Sequence, residues 1–279
     1  MKLARLRTTD GIRPALIDAQ GAAHDISSVV ADITAQTLVE MAALRDLKPE
    51  DFPVIEGEYA PVLDDVRRMF CIGLNYSDHA AEAGMAIPTE PILFMKSCPA
   101  TGANDPIILP KGSQKTDWEV ELGVVIGTRA HHVAEADALA HVAGYCVIND
   151  VSERAFQTER GGQWTKGKSC DSFGPVGPWL VSPDEVPDPQ ALEMYLDVNG
   201  TRCQTGSTAT MVFGVAHIIS YLSSFVTLVP GDVISTGTPP GVGMGMKPPQ
   251  YLRAGDVVEL GIEGLGVQRQ TVVAYHEAL

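Results

Sequence analysis

Residues 117–126 read Asp-Trp-Glu-Val-Glu-Leu-Gly-Val-Val-Ile. In a strand, alternate side chains share a face. Asp117, Glu119 and Glu121 therefore line one side, and Val120, Leu122 and Val124 the other. Carboxylates at every second position repel one another, and a solvated edge strand is one setting that tolerates them. The run passes directly into Val124-Val125-Ile126, however, which reads as buried. A row of acids entering a core needs a counter-ion, and a divalent metal is the economical one.

Similar apolar runs recur outward from this stretch, between Gly/Pro turns: Met69–Leu74, Gly144–Ile148, Leu192–Val198, Val233–Thr236, Val257–Ile262 and Gln270–Tyr275. These are strand signals. Few helices interrupt them and no regular βαβ alternation is present, which predicts a β-rich α+β domain, a sandwich or roll with helices on its margins. The first 65 residues differ in texture. Leu3–Leu6 and Ala15–Ile17 read as strands, Ala35–Leu47 as a helix, and Pro49, Pro53 and Pro61 as a linker. The expected division is a small N-terminal subdomain over 1–65 and a larger domain over 66–279.

Charge and cysteine usage narrow the class. With 20 Lys+Arg against 35 Asp+Glu, the 279-residue chain carries −15. It lacks the basic footprint that nucleic acid or an anionic membrane requires. The surplus acid reads either as solubility through self-repulsion or as a cluster holding a cation. Five widely spaced cysteines with no C-x-x-C pair argue against a disulfide framework or structural zinc, and for a reducing, cytoplasmic setting. The first seven residues are basic without an apolar stretch behind them, unlike a secretory signal. Met211–Val229 approaches the length of a membrane span but carries His217 and several hydroxyls, so it reads as a core helix.

Three further segments carry chemistry. Gly144–Asp150 ends a strand in an acid, and the predicted helix Val151–Arg160 stops at Gly161-Gly162. Asp150, Arg154 and Gln157 fall at i, i+4 and i+7. That spacing suits a metal–carboxylate substrate complex, and equally a surface salt bridge worth a few tenths of a kcal/mol. In Gly73–Gly84, Asn75 or Ser77 caps a short helix on which His79 and Glu82, at i and i+3, would touch. A histidine steered by a carboxylate is a general-base arrangement, though such pairs are also common on surfaces. Trp164–Pro175 places Lys166 and Lys168 in a Gly-bounded loop, and Ser235–Gly243 ends a strand in a rigid turn bearing Thr236 and Thr238. There is no G-x-S-x-G elbow, H-E-x-x-H or Walker A loop, and Pro248-Pro249 bar a helix after the glycine run.

Taken in order, GLNYSDHAAEAG, PILFMKS, DWEVELGVVIG, GYCVINDVSERAFQ, WTKGKSCDSFGPVGP and STGTPPGVG resemble the fumarylacetoacetate hydrolase family over roughly residues 66–279. The later segments are most similar to the bacterial subgroup acting on 2,4-diketo-3-deoxy-L-rhamnonate or -fuconate. The resemblance implies a mixed β-sandwich roll of that family's C-terminal domain type, with a small N-terminal α/β subdomain, usually as a homodimer. It implies metal ligation by Glu119, Glu121 and Asp150, with Mg²⁺, or Mn²⁺ or Ca²⁺, as the ion. It implies catalytic roles for His79, Glu82 and Lys168, and substrate contacts from Arg154, Gln157 and Thr238. Asp117 would stand behind the ligands, and Cys170 would line one wall of the pocket. The implied reaction is hydrolysis of a C–C bond in an acylpyruvate, giving pyruvate and a carboxylic acid. Decarboxylation of oxaloacetate, isomerisation of a hydroxyheptadienedioate and a ureidoglycolate lyase activity are alternatives within the family. A metal-stabilised binding module without catalysis is an alternative outside it.

Overall fold

The computed structural model describes residues 1–82, 84 and 86–275. Ala83 of the predicted short helix and residues 276–279 of the expected second domain lie outside the described residues.

The N-terminal region contributes β1 (Lys2–Thr8), β2 (Gly11–Ile17), β3 (Ala23–Asp25), helix α1 (Ala35–Val39), β4 (Val54–Ile55) and β5 (Glu58–Tyr59). The chain continues through β6 (Met69–Gly73), α2 (Ser77–Glu82), β7 (Ile92–Lys96), β8 (Ile107–Ile108), β9 (Thr116–Asp117) and β10 (Val120–Ile126). Next come β11 (Val142–Asn149), β12 (Ser152–Glu153), α3 (Arg154–Thr158), α4 (Thr165–Lys168), β13 (Val176–Val181), β14 (Glu193–Val198) and β15 (Thr201–Ser207). The last elements are α5 (Val215–Phe225), β16 (Val233–Ser235), β17 (Val257–Ile262) and β18 (Gly266–Val273).

An eleven-stranded sheet runs β4-β3-β2-β1-β13-β11-β10-β16-β6-β7, with β5 also on β1. Its pairs are antiparallel except β16 with β6. A five-stranded sheet, β15-β14-β17-β18-β8, faces it, and β12 with β9 forms a short separate ladder. This is the β-rich mixed architecture expected. Between the two sheets lies the main apolar cluster, where Leu122 and Val124 of β10 and Val147 of β11 meet Leu196 of β14 and Leu260 of β17. The opposite face of the large sheet buries Val125, Cys146 and Ile148 against Leu3, Leu16, Ile33 and Leu38. Strand β10 is thus covered on both sides, which is why its sequence stops alternating after Glu121.

The expected boundary at 65/66 falls inside this continuous sheet, since β1 pairs with β13 in register Leu3 to Leu180. The predicted helix over Ala35–Leu47 is shorter, ending at Val39 before a 3₁₀ turn over Met41–Leu44. Thr34 caps it by accepting the Thr37 amide. The 211–229 stretch yields only the eleven-residue α5. Among the described residues no helix is long and apolar enough to cross a membrane.

Candidate active site

Two acids of the 117–126 stretch converge with Asp150 because β10 and β11 pair as neighbours, Val120 opposite Asn149. The Asp150 amide donates to the Glu119 carbonyl at 2.9 Å, and the Asn149 side chain accepts the Glu119 amide at 3.2 Å. These bonds hold the open ends of both strands together. Carboxylate oxygens of Glu119, Glu121 and Asp150 consequently lie within 4.8 Å of one another, all three residues buried.

Asp117 departs from the predicted row. The strand breaks at Trp118-Glu119, so Asp117 belongs to β9 and pairs with Ser152. Its side chain faces Arg154 and the turn after the Gly-Thr-Pro segment. Oδ2 accepts Arg154 Nε at 2.8 Å and the Met244 amide at 2.9 Å, and Oδ1 accepts the Gly243 amide at 2.7 Å. The predicted helix over Val151–Arg160 also changes. Residues 152–153 form β12, and α3 begins at Arg154 with Glu153 as its cap. Asp150 therefore precedes the helix rather than sharing its face. It joins Arg154 only through Glu119, whose Oε1 meets Arg154 Nη2 at 2.6 Å. Gln157, one turn on, accepts Arg154 Nη1 at 3.1 Å.

Lys168 comes from α4, which packs directly on α3. A side chain at Gly167 would place its Cβ 2.4 Å from the Gln157 backbone nitrogen, so only glycine permits this approach. Lys168 Nζ bridges Glu119 at 2.7 Å and Asp150 at 2.8 Å. A second buried lysine, Lys96 at the end of β7, binds the other Asp150 oxygen and donates to the Val151 carbonyl at 3.0 Å. Lys96 was not singled out from sequence, although it closes the quoted PILFMKS run. A lysine ending an apolar strand was the available signal.

The charges sort by these partners. Burial pushes Glu119 up, but Arg154 and Lys168 outweigh it and hold its carboxyl below the ordinary range. Burial lowers Lys168, but Asp150 and Glu119 more than reverse this, and its ammonium is raised above the lysine norm. Arg154 is likewise raised by Glu119 and Asp117 against its burial. Glu121 behaves oppositely. Burial, with Asp150 and Glu119 adding to it, pushes its carboxyl well above the ordinary range. Its hydrogen-bond donors are neutral, the Ser235 hydroxyl at 2.5 Å and the Gly237 amide at 2.8 Å. Three clustered hard oxygen donors, one without a cationic side-chain bond, fit a divalent cation.

A cavity of about 630 Å³ opens over this cluster, and Glu119, Glu121, Arg154, Gln157, Lys168 and Thr238 reach its wall. Asp150 is fully buried. His79 and Glu82, from α2, also reach the wall, with His79 Nδ1 3.1 Å from Glu82 Oε2. The two Glu82 oxygens accept the Gly241 amide at 3.1 and 3.2 Å, tying α2 to the Pro-Pro-Gly turn. Asn75 is not the cap of α2. It is buried and links Phe213 to the Thr236 carbonyl. The Thr238 hydroxyl donates to the Val120 carbonyl and accepts from Gln204, both at 2.9 Å, while Thr236 donates to the Leu122 carbonyl. Lys166 is exposed and bonds the Arg160 carbonyl. Cys170 is half-buried and does not line the cavity, contrary to expectation.

Comparison with known proteins follows the same outline. Residues 68–273 match the family profile described as fumarylacetoacetate (FAA) hydrolase, C-terminal. A Burkholderia multivorans protein, named no more specifically than a hydrolase, is 57% identical over 276 residues, 97% of this chain and 98% of its own. A solved fumarylacetoacetate hydrolase from the psychrophile Exiguobacterium antarcticum superposes with TM-score 0.89 at 36% identity, covering 98% of this chain and 99% of that one. The maleylpyruvate hydrolase of Sphingobium sp. SYK-6, solved with manganese(II) and pyruvate, superposes with TM-score 0.81 at 26% identity, covering 98% and 99%.

Proposed function

The chain belongs to the fumarylacetoacetate hydrolase family, and on that premise we propose that it is a metal-dependent hydrolase that cleaves a C–C bond in an acylpyruvate, a 2,4-diketo acid, to pyruvate and a carboxylic acid. One observation carries the reading: Glu119 and Glu121 of the three-carboxylate cluster and the His79–Glu82 pair reach the same cavity, with Asp150 buried directly behind. Glu119, Glu121 and Asp150 would hold Mg²⁺, or Mn²⁺ or Ca²⁺, which supplies a Lewis-acid charge for the 2-oxo acid end of the substrate. The manganese and pyruvate bound by the Sphingobium relative support this choice of ion class and product.

The chain's own groups account for the remaining steps. With the proton of His79 on Nδ1 and directed to Glu82, Nε2 is left as the base that takes a proton from water. Glu82, fixed by the Gly241 amide, orients the ring. The resulting hydroxide adds to the distal carbonyl, and the C3–C4 bond breaks. Its electron pair passes into the 2-oxo acid end, which is protonated to pyruvate. Lys168 uses two of its three N–H groups on Glu119 and Asp150. The third has no hydrogen-bond acceptor among the described residues, and it would stabilise the oxyanion. Arg154, whose guanidinium retains two N–H groups after Asp117, Glu119 and Gln157, holds the substrate carboxylate, with Gln157 and Thr238 beside it.

A diketo-deoxy sugar acid, the substrate suggested by the sequence pattern, is one member of this class. We further propose a cytoplasmic homodimer acting on a free small molecule. The test is pyruvate release from a panel of 2,4-diketo acids with Mg²⁺ and with Mn²⁺, set against CO₂ release from oxaloacetate. Pyruvate release at rates that fall on chelation supports hydrolysis. Turnover of oxaloacetate alone would replace it with decarboxylation.

A further inference from the structure

The backbone that carries Glu119 and Glu121 is held from across the core by side-chain amides. Strand β16 pairs with β10 only as far as Gly123, opposite Ser235. Val120, the residue between the two acids, therefore has no strand neighbour on that side. Gln204 of β15, in the other sheet, takes that place. Its Oε1 accepts the Val120 amide at 3.0 Å, and its Nε2 donates to the Thr238 hydroxyl at 2.9 Å and the Pro239 carbonyl at 2.8 Å. The Thr238 hydroxyl in turn donates to the Val120 carbonyl at 2.9 Å. Both backbone groups of Val120 are thus gripped, one by Gln204 and the other by its partner Thr238.

A second arm reaches Glu119. The Asn149 side chain that accepts the Glu119 amide donates through Nδ2 to Gln270 Oε1 at 3.0 Å. Gln270 Nε2 donates to the Ala103 carbonyl at 2.6 Å and to Gln268 Oε1 at 2.7 Å. Gln268 Nε2 ends the arm on the Val147 and Gly177 carbonyls, at 2.7 and 3.0 Å. Gln268 and Gln270 occupy inward positions of β18, between exposed Val267, Arg269 and Thr271. Both are fully buried, as are Gln204 and Asn149. A buried amide is tolerated only when it is bonded, so an apolar side chain would fill such core positions at less cost. Here every N–H and oxygen of the three glutamines has a partner, and both arms lead to the peptide units at the start of the acid-bearing strand.

Taking metal ligation by Glu119, Glu121 and Asp150 as its basis, we infer that Gln204 and the Gln268–Gln270 pair are positioning residues that fix the spacing of these carboxylates and thereby select the size of the cation. Glu119 precedes β10, in the break at Trp118-Glu119, and its side chain is pulled by Arg154 and Lys168. The bonds to the Glu119 and Val120 amides hold the backbone against that pull. None of the three glutamines reaches the cavity wall, so each acts through the backbone. Mg²⁺ demands short bonds and near-ideal octahedral geometry, whereas Ca²⁺ accepts longer bonds and irregular shells. A spacing held by two bonded arms favours the stricter ion, and a loosened one tolerates the larger.

The test is calorimetric titration of the full chain with Mg²⁺ and with Ca²⁺, for Gln204→Met in one arm and Gln270→Met in the other. Thr238→Val keeps the shape and loses only the bridging hydroxyl, which makes it the milder change in the first arm. Leu260→Val, a core truncation in the same sheet as the glutamines, is the control. Mg²⁺ binding should weaken about tenfold in each glutamine variant, and Ca²⁺ binding by less than about threefold. The ratio of the two affinities should therefore move in both glutamine variants, less in Thr238→Val, and not in Leu260→Val. A loss of stability alone, read by denaturation in chelator, leaves that ratio where it was. An unmoved ratio in the glutamine variants, or in Thr238→Val should neither of them fold, overturns the inference, and so does an equal shift in Leu260→Val. If the unsubstituted protein binds neither ion, the metal reading falls and this inference with it, an outcome that the first titration separates from the others.

Discussion

Replacing Asp117 by Asn tests whether the buried acid behind the carboxylate cluster holds the candidate site together. Four donors converge on the Asp117 carboxylate: the Trp118 and Gly243 amides on Oδ1, and the Met244 amide and Arg154 Nε on Oδ2. An asparagine keeps one carbonyl oxygen, which can retain the first two. Its NH₂ then confronts the Met244 amide and the Arg154 guanidinium, donor against donor. Each buried donor left unsatisfied costs about 1–3 kcal/mol, and more where it is charged. Arg154 keeps Glu119 as a partner, so the full penalty of about 3–5 kcal/mol for an orphaned buried ion is not reached. The expected loss is about 3 kcal/mol. With a urea m-value of roughly 3 kcal/mol/M for a chain of this size, the unfolding midpoint should fall by about 1 M. The assay is urea unfolding followed by tryptophan fluorescence, in chelator so that metal binding adds nothing to the difference. A midpoint lowered by less than about 0.3 M at unchanged m would refute the reasoning and make Asp117 dispensable.

Other outcomes follow from the same geometry. His79→Ala should lower kcat by about 10²–10⁴-fold while Mg²⁺ affinity by calorimetry stays within about twofold, since the side chain is on α2 and outside the cluster; unchanged turnover removes it as the base. Glu121→Gln should weaken Mg²⁺ and Mn²⁺ binding at least about tenfold. In chelator it should not destabilise the fold, because burial already pushes that carboxyl toward its neutral form; normal metal affinity strikes Glu121 from the ligand set. Lys96→Met leaves Asp150 with one cationic partner in place of two; since Lys168 remains, the loss should stay below that for an orphaned ion, at about 1–3 kcal/mol, read by denaturation in chelator. His24 is raised above its ordinary 6.5 by the Phe52 carbonyl and, less strongly, by Asp18, against its burial. Folding therefore favours its protonated form. The contribution is full below pH 6.5 and is lost as pH rises through the raised folded value. Denaturation from pH 6 to 9 should show this slope, and His24→Gln should flatten it.

The fold class was legible because strands between two apolar layers write Val- and Ile-rich runs between Gly/Pro turns into the sequence. Glu119, Glu121, Val120 and Leu122 alternate as the strand does, and β10 obeys them. Asp117 misled for a physical reason. The period continues through Trp118, but the strand does not, since Asp117 is claimed by four donors that lie far along the chain or beside it. Helical spacing misled similarly at Asp150, which meets Arg154 through Glu119 rather than along a helix face. Lys96 shows what no local pattern can give. Its partner Asp150 is 54 residues away, just past the end of a strand that does not neighbour β7, so no local spacing could join them. Asn75 is another such case, bound 138 and 161 residues downstream.

The pairing of β1 with β13 has a consequence for anyone hoping to trim this protein to its chemistry. Strand β13 lies between β1 and β11, so a chain beginning at residue 66 would leave the β1-paired end of β13, Leu180 and Val181, as an open edge. It would also uncover Val125, Cys146 and Ile148, the back wall of the strands that carry Glu119, Glu121 and Asp150. An open edge beside a bare apolar face is a template for strand-to-strand aggregation. Such a truncation would precipitate before its catalysis could be measured, and its inactivity would report on solubility alone. The opening segment serves as a splint on the reverse of the candidate site.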